Sequence, residues 1–325
     1  MTQRKTALNT ELFKSEPCRF LENAIRTYVA TNPLNTLTTF DNASIYDEPV
    51  VVFANGDDPI FKEYKNIIGD FHLTPREAME MYVKAKAWRY GLDTSLENIS
   101  IISWALPIPY KTRLAERRSL YGGSRRYNNT RWFGGPFGYT LQDHIVQLLE
   151  ILGNNAVAPT RAKFAETIKT DTGLMANWSE RHIAFAAGMG TFGLNGLMIS
   201  PKGCAVYLGS VVCDVALTFT PRMYQSHMAY CLFSQDGSCR QCVERCQGGA
   251  ISEHGRINNK CRGQIATQVE TLKQTGMDEG LIGLAPACGL CSTRVPCEDR
   301  IPPDRVALSE DTVPRIVHHG GRYRT

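Results

Sequence analysis

The chain has 325 residues, of which 43% are hydrophobic and 21% are charged, so it can bury a core and does not have the composition of a disordered protein. The formal net charge of +4 disfavours a protein that binds nucleic acid by charge alone. No apolar run reaches the ~20 residues of a membrane span, and the first residues lack the apolar centre of a signal peptide. We expect a soluble, cytoplasmic protein of two domains that does not contact a membrane.

Helix and strand patterns alternate through the first part of the chain. Short apolar runs bounded by turn residues predict strands over 50–54, 99–109, 196–201 and 204–217. Apolar residues at helical spacing predict helices over 11–30, 74–91, 141–153 and 179–187. Thr74, Pro75 and Glu77 mark one helix start, as cap, first residue and third residue. The alternation predicts a sheet covered by helices, in one α/β domain over residues 1–225.

Eight of the eleven cysteines lie between Cys231 and Cys297. Because a cytosolic compartment keeps thiols reduced, this density indicates metal binding rather than disulfides. The segment has too little apolar content for a large core, so metal centres would hold it together. We therefore predict a second domain over 226–300 and an extended tail over 301–325. The other cysteines are scattered along the chain, at Cys18, Cys204 and Cys213.

The spacing of the clustered cysteines is similar to the bacterial ferredoxin run. Cys239, Cys242 and Cys246 follow the Cys-x2-Cys-x3-Cys pattern, in which the last cysteine ligates the other cluster of a pair. Eight cysteines suffice for two [4Fe–4S] clusters, and this crossing rule divides them into two sets of four. The first set comprises Cys231, Cys239, Cys242 and Cys297. The second set comprises Cys246, Cys261, Cys288 and Cys291.

Two positions depart from the ferredoxin pattern. Asp236 stands three residues before Cys239, where a cysteine is usual, and Gln247 stands in place of a proline. Cys231 can supply the missing ligand because only seven residues separate it from Cys239; otherwise one cluster would be a [3Fe–4S] cluster or take an oxygen ligand. The Cys-x2-Cys pairs also leave open two structural zinc sites.

A glycine-rich segment follows the helix predicted over 179–187. Gly188, Gly190 and Gly193 have the spacing of a dinucleotide fingerprint, but that fingerprint follows a strand and opens a helix, whereas here a helix precedes it. Glycines at such positions let the backbone approach a large flat group.

This glycine-rich segment, followed by the cysteine block, resembles the epoxyqueuosine reductase and reductive dehalogenase superfamily. The resemblance covers about residues 100–300 and is strongest over 179–212 and the cysteine block. It implies an α+β protein in which a nitroreductase-like α/β domain precedes a ferredoxin-like domain with two [4Fe–4S] clusters. It also implies cobalamin bound base-off, which agrees with the lack of an Asp-x-His-x-x-Gly motif in the sequence.

The resemblance also implies roles for particular residues. Asp171 and Tyr110 are the candidate proton donors, because the superfamily has an aspartate upstream of the glycines and tyrosines near the substrate. Asp171 could equally be a turn or cap residue, and Tyr110 a core residue. The positions implied to contact the corrin are Gly188, Gly190, Gly193, Asn195, Gly196, Ser200, Gly203 and Gly209.

A basic stretch with interleaved aromatic residues runs from Lys111 to Arg131. It could hold an anionic substrate, the phosphate of the corrin or an RNA stem, or form a solvated helix and loop. His182 and Trp178, which lie close to the glycine-rich segment, are more typical of structural residues.

Together these patterns favour a cobalamin-dependent iron–sulfur reductase that acts at low potential on an organic substrate, either tRNA-borne, halogenated or another small molecule. Such an enzyme needs a low-potential electron donor of the ferredoxin or flavodoxin type. The alternative is a corrin-free electron-transfer or activator protein that carries the clusters alone. A zinc-stabilised binding module is the third hypothesis.

Overall fold

The computed structural model describes residues 10–90, 96–120, 122–170, 173–274 and 287–303. Its helices are α1 (Thr10–Ser15), α2 (Pro17–Thr31), α3 (Ile60–Ile67), α4 (Pro75–Tyr90), α5 (Tyr110–Arg118), α6 (Arg125–Ile151), α7 (Glu180–Ala186), α8 (Leu232–Asp236), α9 (Gln241–Glu244) and α10 (Asn258–Gln274). Its strands are β1 (Thr36–Leu37), β2 (Ala43–Ser44), β3 (Val50–Asn55), β4 (Ser100–Pro107), β5 (Ala156–Val157), β6 (Thr167–Thr170), β7 (Gly173–Ala176), β8 (Thr191–Phe192), β9 (Met198–Ile199), β10 (Val206–Cys213), β11 (Ile251–Ser252) and β12 (Gly255–Arg256). This mixture of helix and sheet confirms the α+β class in its general form. Within these ranges, no helix is long and apolar enough to cross a membrane.

The central sheet has the strand order β3–β4–β10–β5, and every neighbouring pair is antiparallel. Strand β4 is buried along its whole length, as its apolar sequence predicts, and it pairs with β10 from Pro107 opposite Val206 to Ser100 opposite Cys213. The predicted strands over 50–54, 99–109 and 204–217 are therefore confirmed to within a few residues. The strand predicted over 196–201 shortens to β9, which pairs only with β8.

Helices cover both faces of this sheet, as the alternating pattern predicts. Successive side chains of β4 point to opposite faces, so Trp104 lies in one hydrophobic core and Ala105 in the other. The first core is completed by α2 and α6, and the second by α3, α4 and α7. Each large aliphatic or aromatic side chain fully buried in these cores contributes roughly 1.5–3 kcal/mol to stability.

A third hydrophobic cluster joins the glycine-rich segment to the cysteine block. It includes Leu194 and Ile199 from the glycine-rich segment, and Cys242, Ile251 and Val295 from the cysteine-rich part of the chain. The cluster therefore crosses the boundary predicted between residues 225 and 226, and it brings the two motifs of the sequence into contact.

The predicted helix over 11–30 is two helices, because the chain breaks at Glu16. The residue before a proline is disfavoured in helical conformation, and Glu16 has φ −138° and ψ 64°. Pro17 then starts α2, where a missing backbone N–H costs little.

The predicted helix over 141–153 begins sixteen residues earlier, at Arg125. Ser124 caps the start of α6 by accepting a hydrogen bond from the Tyr127 backbone N–H at 3.2 Å. The glycines near Pro136 look like helix breakers, but packing requires them: a Cβ on Gly134 would lie 2.3 Å from the Tyr46 hydroxyl. Tertiary contact thus overrides local propensity here.

The predicted start of α4 is confirmed in detail. The Thr74 backbone N–H donates to Glu77 Oε2 at 2.9 Å, and the Glu77 backbone N–H donates to Thr74 Oγ1 at 3.2 Å, which is a reciprocal capping box. The helix is described to Tyr90, and its predicted end at Gly91 lies outside the described residues.

Two histidines pack at the start of α7 in a structural role, as the sequence indicates for one of them. His72 is fully buried, and its Nε2 accepts from the Ser179 backbone N–H at 3.2 Å. Burial lowers the pKa of His72 to about 4, and the nearby Lys65 lowers it further while Glu77 opposes this. His182 Nδ1 lies 2.7 Å from Ser179 Oγ, and burial followed by the Arg181 charge lowers its pKa to about 3.

We expect the free energy of unfolding to fall as the pH decreases from about 6.5 toward 4. An unfolded histidine binds a proton near pH 6.5, whereas folded His72 does so only near pH 4, so acid favours the unfolded state by up to about 3 kcal/mol for this residue. Urea denaturation of the wild type and of His72→Asn at pH 7.5 and pH 5 measures the effect. His254→Asn, at an exposed position, is the control. An equal pH dependence in the wild type and His72→Asn would contradict this role.

Candidate functional site

The eight clustered cysteines line two cavities. The larger cavity, of about 130 Å³, is lined by Cys246, Cys261, Cys288 and Cys291. The smaller cavity, of about 20 Å³, is lined by Cys231, Cys239, Cys242 and Cys297. For the eight clustered cysteines these memberships coincide with the two sets drawn from the crossing rule, and Cys204 lines the larger cavity as well. The assignment of the eight as metal ligands stays a prediction.

Burial makes both cavities unfavourable for bare thiolates. Burial raises the pKa of Cys242 to about 12, and the nearby thiols of Cys297, Cys231 and Cys239 raise it further. Burial also raises the pKa of Cys291, although the Arg256 charge opposes this. Thiolates here need a compensating cation. Over the part of the chain that the structure describes, no three His, Cys, Asp or Glu side chains form a preformed group for a single metal ion.

The larger cavity fits a polar group of several heavy atoms. Its volume is close to the roughly 150 Å³ of an engineered cavity that binds benzene. Gln268 lines it with a side chain that is 6% exposed, and neither of its amide atoms has a hydrogen-bond partner. An orphaned buried amide beside four thiols suits a cluster whose sulfurs accept hydrogen bonds. For the smaller cavity the fit rests on its four thiols, because its volume is only about that of one or two waters.

The position of Cys231 bears on the departure from the ferredoxin pattern. Cys231 is buried at the start of α8 and lines the smaller cavity with Cys239 and Cys242. Asp236 is exposed, and its Oδ1 accepts from the Ser238 backbone N–H at 2.8 Å. The Asp236 side chain therefore stabilises a turn, and Asp236 is not among the described residues that line this cavity.

A buried carboxylate anchors the loop that carries Cys288 and Cys291. Glu116, on α5, is fully buried and accepts from the Gly289 backbone N–H at 2.9 Å and from the Ser124 backbone N–H at 2.7 Å. Burial raises the pKa of Glu116 to about 7, although these two backbone hydrogen bonds oppose the shift. The carboxylate thus ties the loop of the larger cavity to the end of α5 and the start of α6.

A second carboxylate anchors the loop that carries Cys297. Glu298 is 2% exposed, accepts from Arg117 Nε at 2.7 Å and from Arg113 Nη1 at 2.9 Å, and also accepts from the Arg294 backbone N–H at 2.7 Å. Asp299 takes a further bond from Arg113 at 2.8 Å. Both arginines belong to the basic stretch, and they neutralise buried carboxylates rather than form a solvated face.

The rest of the basic stretch is divided between packing and surface. Arg126 donates to Thr112 Oγ1 at 2.9 Å, and Tyr127 lines the larger cavity. Trp132 is exposed, as are Arg118, Arg125 and Arg131. Tyr121 lies outside the described residues.

The chain's own atoms fill the space beside several of the predicted corrin-contacting glycines. A Cβ on Gly190 would lie 2.0 Å from the Ile199 carbonyl oxygen, and one on Gly203 would lie 2.3 Å from the Asp299 backbone nitrogen. Gly209 faces the Trp104 indole in the same way, at 2.7 Å. These three glycines therefore permit close packing within the protein, and their assignment as corrin contacts stays a prediction.

The other predicted positions lie near the cysteines or at turns. Asn195 is buried and donates to the Cys291 carbonyl oxygen at 2.7 Å, while Gly193 and Asn195 line the smaller cavity. Ser200 Oγ donates to the Gly203 carbonyl oxygen at 2.9 Å. Gly188 follows the end of α7 with φ +81°. A Cβ on Gly196, which has φ +69°, would lie 3.6 Å from its nearest atom, Arg181 Nη1.

Of the two candidate proton donors, the structure describes Tyr110 but not Asp171. Asp171 lies outside the described residues, between β6 and β7 in the sequence. Tyr110 starts α5 and is 54% exposed, with its ring 5.8 Å from the guanidinium of Arg113 and 5.7 Å from that of Arg117. The interpretation of Tyr110 as a core residue is therefore wrong, and a proton-donor role stays a prediction.

Four residues around the cavities were not predicted from the sequence: Cys204, Gln268, Glu116 and Glu298. Glu116 carried a signal, since it is the acidic residue within a basic stretch. Glu298 carried one as well, since it directly follows a predicted ligand. Cys204 and Gln268 carried none, because their partners are distant in sequence.

Comparisons with known proteins give one consistent sequence similarity. The chain is 28% identical to an epoxyqueuosine reductase of Listeria monocytogenes over 193 residues, which is 59% of this chain and 47% of that protein. It is 30% identical to an epoxyqueuosine reductase of Staphylococcus aureus over 159 residues, 48% of this chain and 38% of that protein. These matches confirm the predicted resemblance, and they span less than half the length of either relative. No protein-family model matches the chain.

Among solved structures, a crystal structure of selenomethionine-labelled epoxyqueuosine reductase aligns with a TM-score of 0.40. The alignment has 18% identity and covers 87% of this chain and 69% of that protein. A likeness this low supports no argument, so the similarity rests on the sequence matches.

We expect Glu116→Gln to lower the free energy of unfolding by about 1–3 kcal/mol. The substituted amide presents one N–H group toward a backbone N–H, which leaves the donor of either Gly289 or Ser124 unsatisfied. Urea denaturation measures the change, with Glu63→Gln on the exposed face of α3 as the matched control. If Glu116→Gln lowers the free energy of unfolding no more than Glu63→Gln does, the anchoring role of Glu116 is refuted.

Proposed function

We propose that this epoxyqueuosine reductase-like chain is an oxidoreductase that holds two [4Fe–4S] clusters and uses cobalamin in the low-potential reduction of an organic substrate. The observation that carries the proposal is the division of the eight clustered thiols into two sets of four, each of which lines one cavity. The sequence similarity to two epoxyqueuosine reductases supports the same conclusion.

One cluster would be held in the larger cavity by Cys246, Cys261, Cys288 and Cys291. The Gln268 amide nitrogen would donate to a cluster sulfur, which gives the orphaned Nε2 a partner. The positive charge of Arg256, which already acts on Cys291, would offset part of the negative charge of the cluster. Glu116 would hold the loop between Cys288 and Cys291 in place through Gly289.

The other cluster would be held in the smaller cavity by Cys231, Cys239, Cys242 and Cys297. Three of these ligands come from the short helical segment that contains α8 and α9, and the fourth comes from the loop anchored by Glu298. The residues that flank Cys239 are exposed, which would give an electron donor of the ferredoxin or flavodoxin type a place to approach.

This assignment gives the chain a nitroreductase-like domain over 1–225, a ferredoxin-like domain over 226–300 and a tail over 301–325. All eleven cysteines of the sequence are free thiols in the structure, which suits a reducing, cytoplasmic compartment.

Cobalamin, when bound, would supply a metal centre of very low potential for reduction of the substrate. Its support is the sequence similarity, and its binding surface would lie outside the contacts filled at Gly190, Gly203 and Gly209. We propose epoxyqueuosine in tRNA as the first substrate to test, because both sequence relatives are named for it. Tyr110 and Asp171 are the proposed proton donors.

A corrin-free electron-transfer or activator protein is the second candidate. The filled contacts at Gly190, Gly203 and Gly209 favour it, because they explain those glycines without a corrin. Cobalt content separates the two candidates: reconstitution with iron, sulfide and cobalamin gives about one cobalt per chain only if the corrin binds.

The iron content tests the two ligand sets. Anaerobic reconstitution should give about eight irons per chain in the wild type, and Cys261→Ala or Cys231→Ala should lower the count or convert the affected cluster to a three-iron form. Cys18→Ala, a partly buried cysteine outside both cavities, should keep about eight irons and unchanged EPR spectra. Unchanged iron and spectra in Cys231→Ala would refute its assignment.

Turnover tests the proton donors. Asp171→Asn or Tyr110→Phe should keep both cofactors but lose at least tenfold in kcat, since a positioned acid contributes about 10²–10⁴-fold. Tyr139→Phe is the matched control, because Tyr139 is also exposed, with Arg161 4.9 Å over its ring. Full activity in either variant would remove that residue from the mechanism.

A further inference from the structure

Cys204 is a ninth thiol at the contact between the two cavities. It is 3% exposed, it lines the larger cavity, and its Sγ lies 3.7 Å from the Sγ of Cys297, which lines the smaller one. The crossing rule leaves Cys204 out of both ligand sets, since each set is already complete with four cysteines.

Backbone pairing fixes this contact. The Cys204 backbone N–H donates to the Cys297 carbonyl oxygen at 2.8 Å, and the Ala205 backbone N–H donates to the Glu298 carbonyl oxygen at 3.1 Å. Gly203, with φ +76°, lets the two segments approach, because any Cβ there would meet the Glu298–Asp299 backbone. The backbone pairing therefore makes Cys204 and Cys297 neighbouring residues, and their side chains bring the two sulfurs to 3.7 Å.

The neighbouring amide determines where the Cys204 hydrogen points. Asn195 Oδ1 accepts from the Leu197 backbone N–H at 3.1 Å, and Nδ2 donates to the Cys291 carbonyl oxygen at 2.7 Å, so the orientation of this amide is settled. Nδ2 lies 3.9 Å from Cys204 Sγ and donates toward it. The Cys204 sulfur is thus an acceptor on that side, and its own hydrogen points away.

Two acceptors remain for the Cys204 S–H among its described contacts: Cys297 Sγ at 3.7 Å and the Ser292 carbonyl oxygen at 3.8 Å. A cysteine that ligates iron is a thiolate, so Cys297 would have no proton and would carry negative charge. A charged acceptor forms a stronger hydrogen bond than a neutral one, which favours Cys297.

We propose that Cys204 is a positioning residue that donates an S–H hydrogen bond to Cys297 and thereby raises the reduction potential of the cluster in the smaller cavity. The inference rests on the proposed function, because it requires a cluster bound by Cys297. On reduction one electron enters the cluster and the proton stays on Cys204. The hydrogen bond stabilises the more negative, reduced form, which raises the potential.

Redox titration of the reconstituted full chain, followed by EPR, tests this inference on Cys204→Ala, Cys204→Ser and Cys213→Ala. Cys213 is the matched control, since it is a fully buried cysteine of β10 that lines neither cavity. We expect Cys204→Ala to retain about eight irons and to shift the one-electron reduction equilibrium of one cluster threefold to tenfold toward the oxidised form, tenfold being about 59 mV. Cys204→Ser keeps a donor and should lie between Cys204→Ala and the wild type.

Several results would overturn the inference. An unchanged reduction potential in Cys204→Ala would refute the proposed effect of the hydrogen bond. A loss of about four irons in that variant would indicate that Cys204 is a ligand instead. An equal shift in Cys213→Ala would assign the effect to general packing. A wild-type chain without iron would refute the proposed function and this inference with it, whereas a wild-type chain with iron isolates the role of Cys204.

The wild-type protein also supplies a measurement that does not depend on a variant folding. Resonance Raman spectra in H2O and D2O should show an isotope shift of an Fe–S(Cys) stretching band, because the S–H hydrogen exchanges with solvent deuterium. This shift should vanish in Cys204→Ala, change in size in Cys204→Ser, whose hydroxyl hydrogen also exchanges, and persist in Cys213→Ala. An identical isotope shift in all four proteins would overturn the assignment to Cys204.

Discussion

The backbone pairing of Cys204 and Ala205 with Cys297 and Glu298 is the constraint on which the rest of the site depends. It places the last predicted ligand in the smaller cavity and puts a ninth thiol beside that ligand. It also places Glu298 beside Arg113 and Arg117 of α5. The same pairing joins the glycine-rich segment to the cysteine block, where residues of both pack in the third hydrophobic cluster.

Buried carboxylates then link α5 to both cavities. Glu116 holds the loop of the larger cavity, and Glu298 holds the loop of the smaller one through Arg113 and Arg117. Tyr110 stands at the exposed start of the same helix. A single short helix thus connects a candidate proton donor with both candidate cluster sites. Buried charges of this kind are costly alone and become tolerable only when every oxygen has a donor, as these oxygens do.

Much of the fold could be predicted because the signals are local. The capping box of Thr74 and Glu77 involves residues three apart, and β4 is a short stretch of mostly apolar residues. The start of α6 could not be predicted, because its glycines make sense only against Tyr46 and Tyr207, which come from distant parts of the chain. The glycine-rich segment shows the same limit, since Gly190 and Gly203 face the protein's own backbone and not an open surface.

The sequence by itself determined that eight cysteines are clustered, and the crossing rule predicted from it two sets of four. Each predicted set lines one of the two cavities, and Cys204 joins the lining of the larger one. Spacing carries this information because a short loop limits which sulfurs can reach one centre. Only the tertiary structure decided what surrounds those thiols. Cys204 contacts Cys297 across 93 residues of sequence, and Glu116 contacts Gly289 across 173 residues. No local sequence pattern records contacts over that range. Gln268 lines the larger cavity without such a pattern either.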